Sequence, residues 1–180
     1  GAFYSAEDAD SEGVEGKFYL WTPEEIQEIL GDDAGNSFCR IYDITKQGNF
    51  AGSNIPNLIN SKLEDLAKIE AEYKEEREKL YQVRDKREHP FKDDKILTAW
   101  NGLMIAALAM GGRILDNAQY LSAAEKAFAF ILNKLTDQKG RLLVRYRNGE
   151  AAYPAYLDDY AFLIWALLEL YASTYKPKYL

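Results

Sequence analysis

Two pairs of adjacent aspartates carry the side chains best suited to acid–base chemistry. Asp93-Asp94 and Asp158-Asp159 each stand before a long, almost entirely apolar stretch, so each pair is predicted to open a helix. Two carboxyl groups about 6.5–9.5 Å apart can hydrolyse a glycosidic bond with inversion, one as general acid and one as general base. All four aspartates are therefore catalytic candidates, and the function expected is carbohydrate binding or glycoside hydrolysis.

Aromatic residues close to both pairs could stack against a sugar ring. These substrate-binding candidates are Trp100, Tyr156 and Tyr160, together with the polar Asn101 beside Trp100. The alternative is that the aromatic side chains belong to the core.

A structural role explains part of the same pattern. Aspartate is a favoured helix N-cap, and acids in the first turn complement the helix dipole. Capping accounts for one aspartate in each pair and leaves the second for a polar pocket. The alternative function is therefore a non-catalytic scaffold or interaction module in which the pairs only cap helices.

An acidic segment near the start of the chain resembles the opening of a calcium loop. Asp8, Asp10 and Glu12 stand at its first, third and fifth positions, but position twelve is Tyr19, where calcium loops need a bidentate glutamate. We therefore predict no metal site. Glu7, Asp8 and Asp10 remain candidates for contacting a ligand from a loop, and a solvated acidic turn is the alternative.

The helices expected around the aspartate pairs alternate in character. Residues 94–115 and 158–175 are apolar on all sides and predict buried helices, whereas 119–136 is amphipathic and predicts an outer helix. A hairpin, 141–146 with 150–153, turns at Asn148-Gly149. This order predicts an all-α fold, a partial α/α toroid with short β-hairpins in its loops. An unrelated helical bundle is the alternative.

The first half of the chain predicts shorter elements. Two aromatic patches in residues 1–22 suggest a hairpin with an acidic loop, and Thr22, Pro23 and Glu25 start a helix that Gly31 ends. A second short helix is expected at about 34–42, and residues 62–87 predict one long helix or two in tandem. We expect a single domain over 1–180, with helical hairpins from 23 to 180.

Composition narrows the classes of partner and compartment. A net charge of -7 repels phosphate backbones, which argues against a nucleic-acid partner. Cys39 is the only cysteine, which suits a reducing, cytoplasmic location. No apolar run is long enough for a membrane span, no Gly-rich nucleotide loop is present, and no cofactor is predicted. The single histidine, His89, cannot form a two-histidine metal site, and its alternatives are a general base or a surface residue.

Several blocks of sequence resemble the YyaL family, thioredoxin-domain-containing proteins related to spermatogenesis-associated proteins. The blocks are spread over almost the whole chain: 1–13, 15–22, 48–50 before 54–55, 93–105 and 156–161. The resemblance implies a six-hairpin α/α barrel similar in fold to certain glycosidases and sugar epimerases, preceded in the full-length protein by a thioredoxin-like domain.

The resemblance also sets expectations for this chain. In such a barrel the inner helices run in one direction, so Asp94 and Asp159 are expected near one another at a shared mouth. The chain lacks an initiator Met, and we expect it to be the barrel's first part, with exposed apolar faces that could pair with a second copy. Epimerases of this fold use histidines on barrel helices, and none of the predicted helices carries one.

Overall fold

The computed structural model describes all residues, 1–180, and contains seven α-helices. Its contacts divide the chain into two compact units, which are described separately. The N-terminal unit consists of residues 7–91, and the C-terminal unit consists of residues 1–6 with 92–180. None of the helices has the length and apolar character needed to cross a membrane. The prediction of a helix-rich fold is confirmed, whereas the α/α toroid and the single domain stay predictions.

The N-terminal unit is built from short elements. After β1 (Ala6–Glu7), at the sequence boundary between the units, come β2 (Asp10–Ser11), β3 (Val14–Glu15), a 3-10 turn (Lys17–Tyr19), α1 (Pro23–Leu30), α2 (Asp32–Ile41), a second 3-10 turn (Leu63–Asp65), α3 (Leu66–Glu72) and α4 (Lys74–Arg84). The helix start predicted at Thr22 is confirmed, because Thr22 Oγ1 accepts from Glu25 N and the Glu25 carboxylate accepts from Thr22 N. Of the two alternatives for residues 62–87, the tandem helices are present, divided at Tyr73.

The hairpin predicted between the two aromatic patches is wrong in position. The strands that pair are β2 and β3, inside the acidic segment, and Glu12-Gly13 turns between them with positive φ at both residues. Trp21 pairs instead with Asn54 through two backbone hydrogen bonds of 2.9 Å. Aromatic residues have high strand propensity, but they are equally common in cores without strands. The pattern therefore predicts strands here although none forms.

Arg87 joins the 3-10 turn to the segment that follows α4. Its Nη1 donates to the carbonyl oxygens of Phe18 at 3.1 Å and Leu20 at 2.7 Å, and its guanidinium lies 4.0 Å from the centre of the Trp21 ring. Burial lowers the pKa of Arg87, although Glu25 opposes that shift. This one cation thus satisfies two carbonyl groups and covers a core aromatic ring.

The C-terminal unit is organised around one central helix. Its elements are β4 (Lys92–Asp93), β5 (Ile96–Leu97), α5 (Thr98–Ile114), α6 (Ala118–Lys134), β6 (Leu143–Arg147), β7 (Glu150–Pro154), α7 (Leu157–Thr174) and a 3-10 turn (Pro177–Tyr179). Helix α5 contacts both α6 and α7, and β5, β6 and β7 form an antiparallel sheet in that order. The turn predicted at Asn148-Gly149 is confirmed, since both residues have positive φ as a type I′ turn requires.

Helices α5 and α7 run in the same direction in close contact. Asp159 joins their first turns, and the Ser173 hydroxyl donates to the Ala109 carbonyl at 2.9 Å near their other ends. Gly102 makes the close approach possible, because a Cβ there would lie 2.9 Å from the Phe162 carbonyl carbon. Small residues between the helices let the two backbones approach, and the core around them is rich in alanine.

The prediction that α5 and α7 are buried on all sides is wrong. Each helix buries one face, and the other face carries large apolar side chains that are exposed: Trp100, Leu103 and Met104 on α5, and Ile164, Trp165 and Leu168 on α7. Within the unit, α6 and the sheet leave these faces uncovered. Apolar residues on all sides of a helix indicate that other elements can cover it. The pattern does not show that such elements are present in this unit.

The first aspartate pair does not open a helix, which corrects the sequence prediction. Ile96 and Leu97 pair with Tyr146 and Arg145 as strand β5, so α5 begins only at Thr98. Asp93 therefore lies in β4, and Asp94 lies between two strands. Cross-strand pairing outweighed helix propensity at these β-branched and apolar positions.

The contact at Gly102 gives a testable consequence for stability. Gly102→Ala should lower the free energy of unfolding by about 1–3 kcal/mol, because the added methyl meets the backbone of α7, which cannot rotate away. Gly111→Ala in the same helix is the matched control, since its Cβ would meet only Tyr120 Cδ2 at 3.5 Å. That variant should gain about 0.5–1 kcal/mol of helix propensity. Urea unfolding followed by circular dichroism measures both, and equal effects would contradict the close contact.

Candidate functional site

The carboxylate of Asp159 lies buried between two helix N-termini. Only 3% of the residue is exposed, and its Oδ1 accepts from the backbone N–H of Ala99 at 2.9 Å. Its Oδ2 accepts from Tyr156 N at 2.9 Å, three residues earlier in its own chain segment. The capping role proposed for one residue of this pair is confirmed for Asp159, and it extends to a second helix.

The local sequence explains why α5 needs a cap from elsewhere. The residue before its first turn is Leu97, whose side chain cannot accept a hydrogen bond, so the first N–H groups of α5 have no local acceptor. Thr98 is turned away, since its hydroxyl donates to the Leu143 carbonyl at 2.6 Å. A carboxylate at this place also interacts favourably with the positive ends of both helix dipoles.

Asp158 precedes Asp159 but faces solvent. It lies in the first turn of α7, and its side chain is exposed. The two members of this pair therefore differ in environment: one carboxylate is fixed by backbone groups and the other is free to meet a ligand.

Asp93 and Asp94 are held by basic side chains. Arg147 Nε donates to Asp94 Oδ1 at 2.6 Å, and Lys95 Nζ lies 3.1 Å from Asp93 Oδ2. Desolvation acts to raise the pKa of Asp93, but hydrogen bonds from Lys95 outweigh it, and the pKa lies below its ordinary value. Asp93 is thus ionised at neutral pH and cannot serve as a general acid there.

The predicted substrate-binding residues of the C-terminal unit fall into two groups. Trp100 is 55% exposed and Tyr156 is 70% exposed, and both flank the backbone groups that Asp159 binds. Tyr160 is exposed as well, although its hydroxyl accepts from Leu142 N at 3.1 Å. The exposed aromatic side chains therefore gather where α5 and α7 begin.

Asn101 is not at the surface, contrary to its expected role in ligand binding. Its side chain is buried and makes three hydrogen bonds: Oδ1 accepts from Phe3 N at 2.9 Å, and Nδ2 donates to the carbonyls of Phe3 at 3.0 Å and Leu97 at 2.9 Å. It attaches the first residues of the chain to α5. An amide with this donor and acceptor set matches an extended backbone, and its hydrogen bonds leave little capacity for a ligand.

The remaining candidates belong to the N-terminal unit. Glu7 Oε2 accepts from the Tyr19 hydroxyl at 3.2 Å, and Asp8 Oδ1 accepts from Asp10 N at 3.2 Å. No group of three or more His, Cys, Asp or Glu side chains is placed to hold a metal ion. The exposed His89 lies against Phe18, with ring centres 4.7 Å apart, and its Nε2 is 3.0 Å from the Asp85 carbonyl oxygen.

Sequence reasoning missed the partners of the aspartates. Arg147 binds Asp94, and Ala99 and Tyr156 bind Asp159 through backbone N–H groups that no side-chain pattern reveals. Arg147 could have been found by reading Ile96-Leu97 as a strand beside the predicted hairpin. The contact of Asp159 with α5 has no local signal, because the two residues lie 60 positions apart.

Replacing each residue of the second pair separates capping from ligand binding. Asp159→Asn should lower the free energy of unfolding by about 2–4 kcal/mol, because an amide NH2 would face a backbone N–H and one charge-assisted acceptor would be lost. Asp158→Asn, one residue away and exposed, should change it by less than about 1 kcal/mol. Chemical denaturation at pH 7 measures both values. If Asp159→Asn left the free energy of unfolding unchanged, the capping of both helices by Asp159 would be contradicted.

Comparison with known proteins places the chain among long homologues. No model of a known protein family matches it. An uncharacterized protein of Caenorhabditis elegans is 34% identical over an alignment that covers all of this chain and 30% of that protein. Spermatogenesis-associated protein 20 of Homo sapiens is 30% identical and that of Mus musculus 29% identical, each over the whole chain and 28% of the relative. The chain is therefore a homologue of spermatogenesis-associated protein 20 along its full length, and it spans less than a third of these relatives.

Proposed function

We propose that this chain is a non-catalytic interaction module of a longer protein. Its binding element is the α5–α7 face, defined as the exposed apolar side chains Trp100, Leu103 and Met104 of α5 with Ile164, Trp165 and Leu168 of α7. The exposure of this face is the observation that carries the proposal.

The composition of the α5–α7 face supports an interaction role. Two tryptophans and four aliphatic or thioether side chains are exposed at helical spacing on two neighbouring helices. Single exposed apolar residues are common, but apolar residues grouped on adjacent helices mark surfaces that another protein surface covers. Tryptophan is also enriched among residues that dominate binding energy.

The covering surface proposed is an apolar helical surface from elsewhere in the same longer polypeptide. The relatives are more than three times the length of the aligned region, so they have ample chain to supply it. A six-hairpin α/α toroid, as in the YyaL proteins that the chain resembles, is one architecture that would cover both helices. We propose that the same longer polypeptide also contains the thioredoxin-like domain that this resemblance implies.

The environments of Asp94 and Asp159 argue against these two residues acting as the catalytic pair of a glycoside hydrolase. Both oxygens of Asp159 accept backbone hydrogen bonds, so protonating a leaving group would require the carboxyl to release a helix N-terminus. Asp94 Oδ1 accepts from Arg147 Nε at 2.6 Å, so this oxygen is already engaged. Neither carboxylate is free of protein partners, as a general acid must be to reach a leaving group.

Sedimentation of the isolated chain tests the interaction module. With the α5–α7 face uncovered, the chain should self-associate at micromolar to millimolar concentration, and Ile164→Gln with Trp165→Gln should shift it toward monomer. Leu132→Gln on α6 is the matched control, because Leu132 and Ile164 are both 56% exposed. A wild-type chain that stays monomeric, or equal effects of both changes, would refute the role of this face.

Carbohydrate binding is a second candidate, favoured by the exposed aromatics at the start of α5 and α7. Trp100 and Tyr156 adjoin the Asp159 cap, and Asp158 offers a free carboxylate for hydroxyl groups. Aromatic faces and carboxylates are the side chains that sugar rings contact. Aromatic side chains at this place would orient the bound sugar ring. Hydrolysis would additionally need a general acid.

A panel of soluble oligosaccharides, titrated while tryptophan fluorescence is recorded, tests this candidate. If a sugar binds at this place, Trp100→Ala should weaken binding about tenfold or more, because stacking on one aromatic ring contributes on that scale. Tyr120→Ala, an exposed aromatic on α6, should leave it unchanged. Absence of saturable binding to any member of the panel would eliminate this candidate.

A further inference from the structure

A small cavity in the N-terminal unit combines aromatic walls with two arginines. It measures about 290 Å³, and its lining includes Trp21, Phe38, Tyr42, Arg77, Tyr81 and Arg84. This volume is near the lower end of the range for ligand sites, which suits a molecule of one or two rings. None of these residues takes part in the proposed function.

Both arginines present a donor without an acceptor. The Nε atoms of Arg77 and Arg84 are buried and have no hydrogen-bond partner. Buried donors of this kind are rare in folded proteins. Each guanidinium also carries Nη donors, and the Arg77 side chain is 41% exposed, so the charge itself is within reach of a ligand in the cavity.

Helix geometry brings the two guanidinium groups to the same cavity. Arg77 and Arg84 lie two turns apart on α4, so they project from one side of the helix about 10 Å apart along its axis. Leu80 and Tyr81 stand between them and form an apolar floor. A ligand could lie along this floor with an anionic group at either end.

Neighbouring groups fix the guanidinium of each arginine. Arg84 Cζ lies 5.5 Å from the ring centres of Phe18 and Tyr19 and 5.6 Å from that of Tyr81. Arg77 Nη2 donates to the Glu70 carbonyl at 3.0 Å. These contacts hold the cations in place, so the site needs little rearrangement to bind an anion.

Acidic residues also lie near the cavity. The Glu70 carboxylate lies 3.8 Å from Arg77, with both side chains largely exposed, and this contact therefore contributes little. Glu76 also has a buried oxygen without a partner, but it does not line the cavity. The chain as a whole carries -7, but charges beyond about 8 Å are screened at physiological salt, so the charges that act at the cavity are those of Arg77, Arg84, Glu70 and Glu76.

We infer that this cavity is a binding site for a small aromatic carboxylate, whose ring contacts the aromatic walls and whose carboxylate accepts from the guanidinium of Arg84 or Arg77. Carboxylate is the anion that matches a guanidinium by two parallel hydrogen bonds. The rings of Trp21, Phe38, Tyr42 and Tyr81 account for the aromatic part of the ligand.

The probe is 2-naphthoate, and its neutral control is 2-naphthamide, which has the same ring system. Isothermal titration of the whole chain at pH 7 should give an affinity for the carboxylate at least about tenfold above that for the amide, and the difference should shrink with added salt. The Trp21 indole N–H resonance should move on binding. Equal affinities, or no binding of 2-naphthoate at millimolar concentration, would overturn the inference.

Variants locate the site on the two arginines. Arg84→Met and Arg77→Met should each reduce 2-naphthoate affinity about tenfold, while Lys86→Met, an exposed cation just beyond α4, should change it less than twofold. Unchanged affinity in both arginine variants would assign the binding elsewhere and overturn the inference. If either variant fails to fold, Arg84→Lys keeps the charge and stem, and it should lose part of the preference for the carboxylate over the amide.

Discussion

The C-terminal unit depends on one carboxylate that two helices share. Asp159 accepts a backbone N–H from α5 and another from the segment that opens α7, and it does so in a buried position. The interaction fixes the ends of the two helices together. Gly102 can then lie against the α7 backbone, and the exposed apolar residues of both helices come to lie on neighbouring elements. The position of the exposed aromatics Trp100 and Tyr156 follows from the same contact.

In the N-terminal unit, an arginine rather than an aspartate joins separate segments of the chain. Arg87 gives its donors to two carbonyl groups and covers the Trp21 ring, whereas Arg84, one turn earlier, is surrounded by rings but keeps a buried Nε without an acceptor. The same side chain type therefore completes its hydrogen bonds within the fold in one place and lines a cavity in another. The difference lies in the carbonyl groups within reach, since both residues have aromatic neighbours.

Local signals predicted those parts of the fold that local interactions determine. The Thr22 capping box and the Asn148-Gly149 turn were readable because every group involved lies within a few residues. The start of α5 was not, because pairing of Ile96-Leu97 with β6 decides it. The candidate site shows the same division: a capping role for Asp159 could be expected, but its bond to Ala99 and the Arg147 partner of Asp94 depend on distant chain. Hydrophobic periodicity also indicated which residues of α5 and α7 are apolar without showing which neighbours cover them.

The distance in sequence between Ala99 and its cap has a consequence for the order in which the protein forms during synthesis. Helices α5 and α6 emerge from the ribosome before residue 159 exists, so the first turn of α5 is then without its acceptor. Closing a contact over 60 residues also carries a greater chain-entropy cost than the local α5–α6 hairpin does. The nascent α5 should therefore fray at its beginning until α7 has been translated. The contact between α5 and α7 forms only once α7 has been translated.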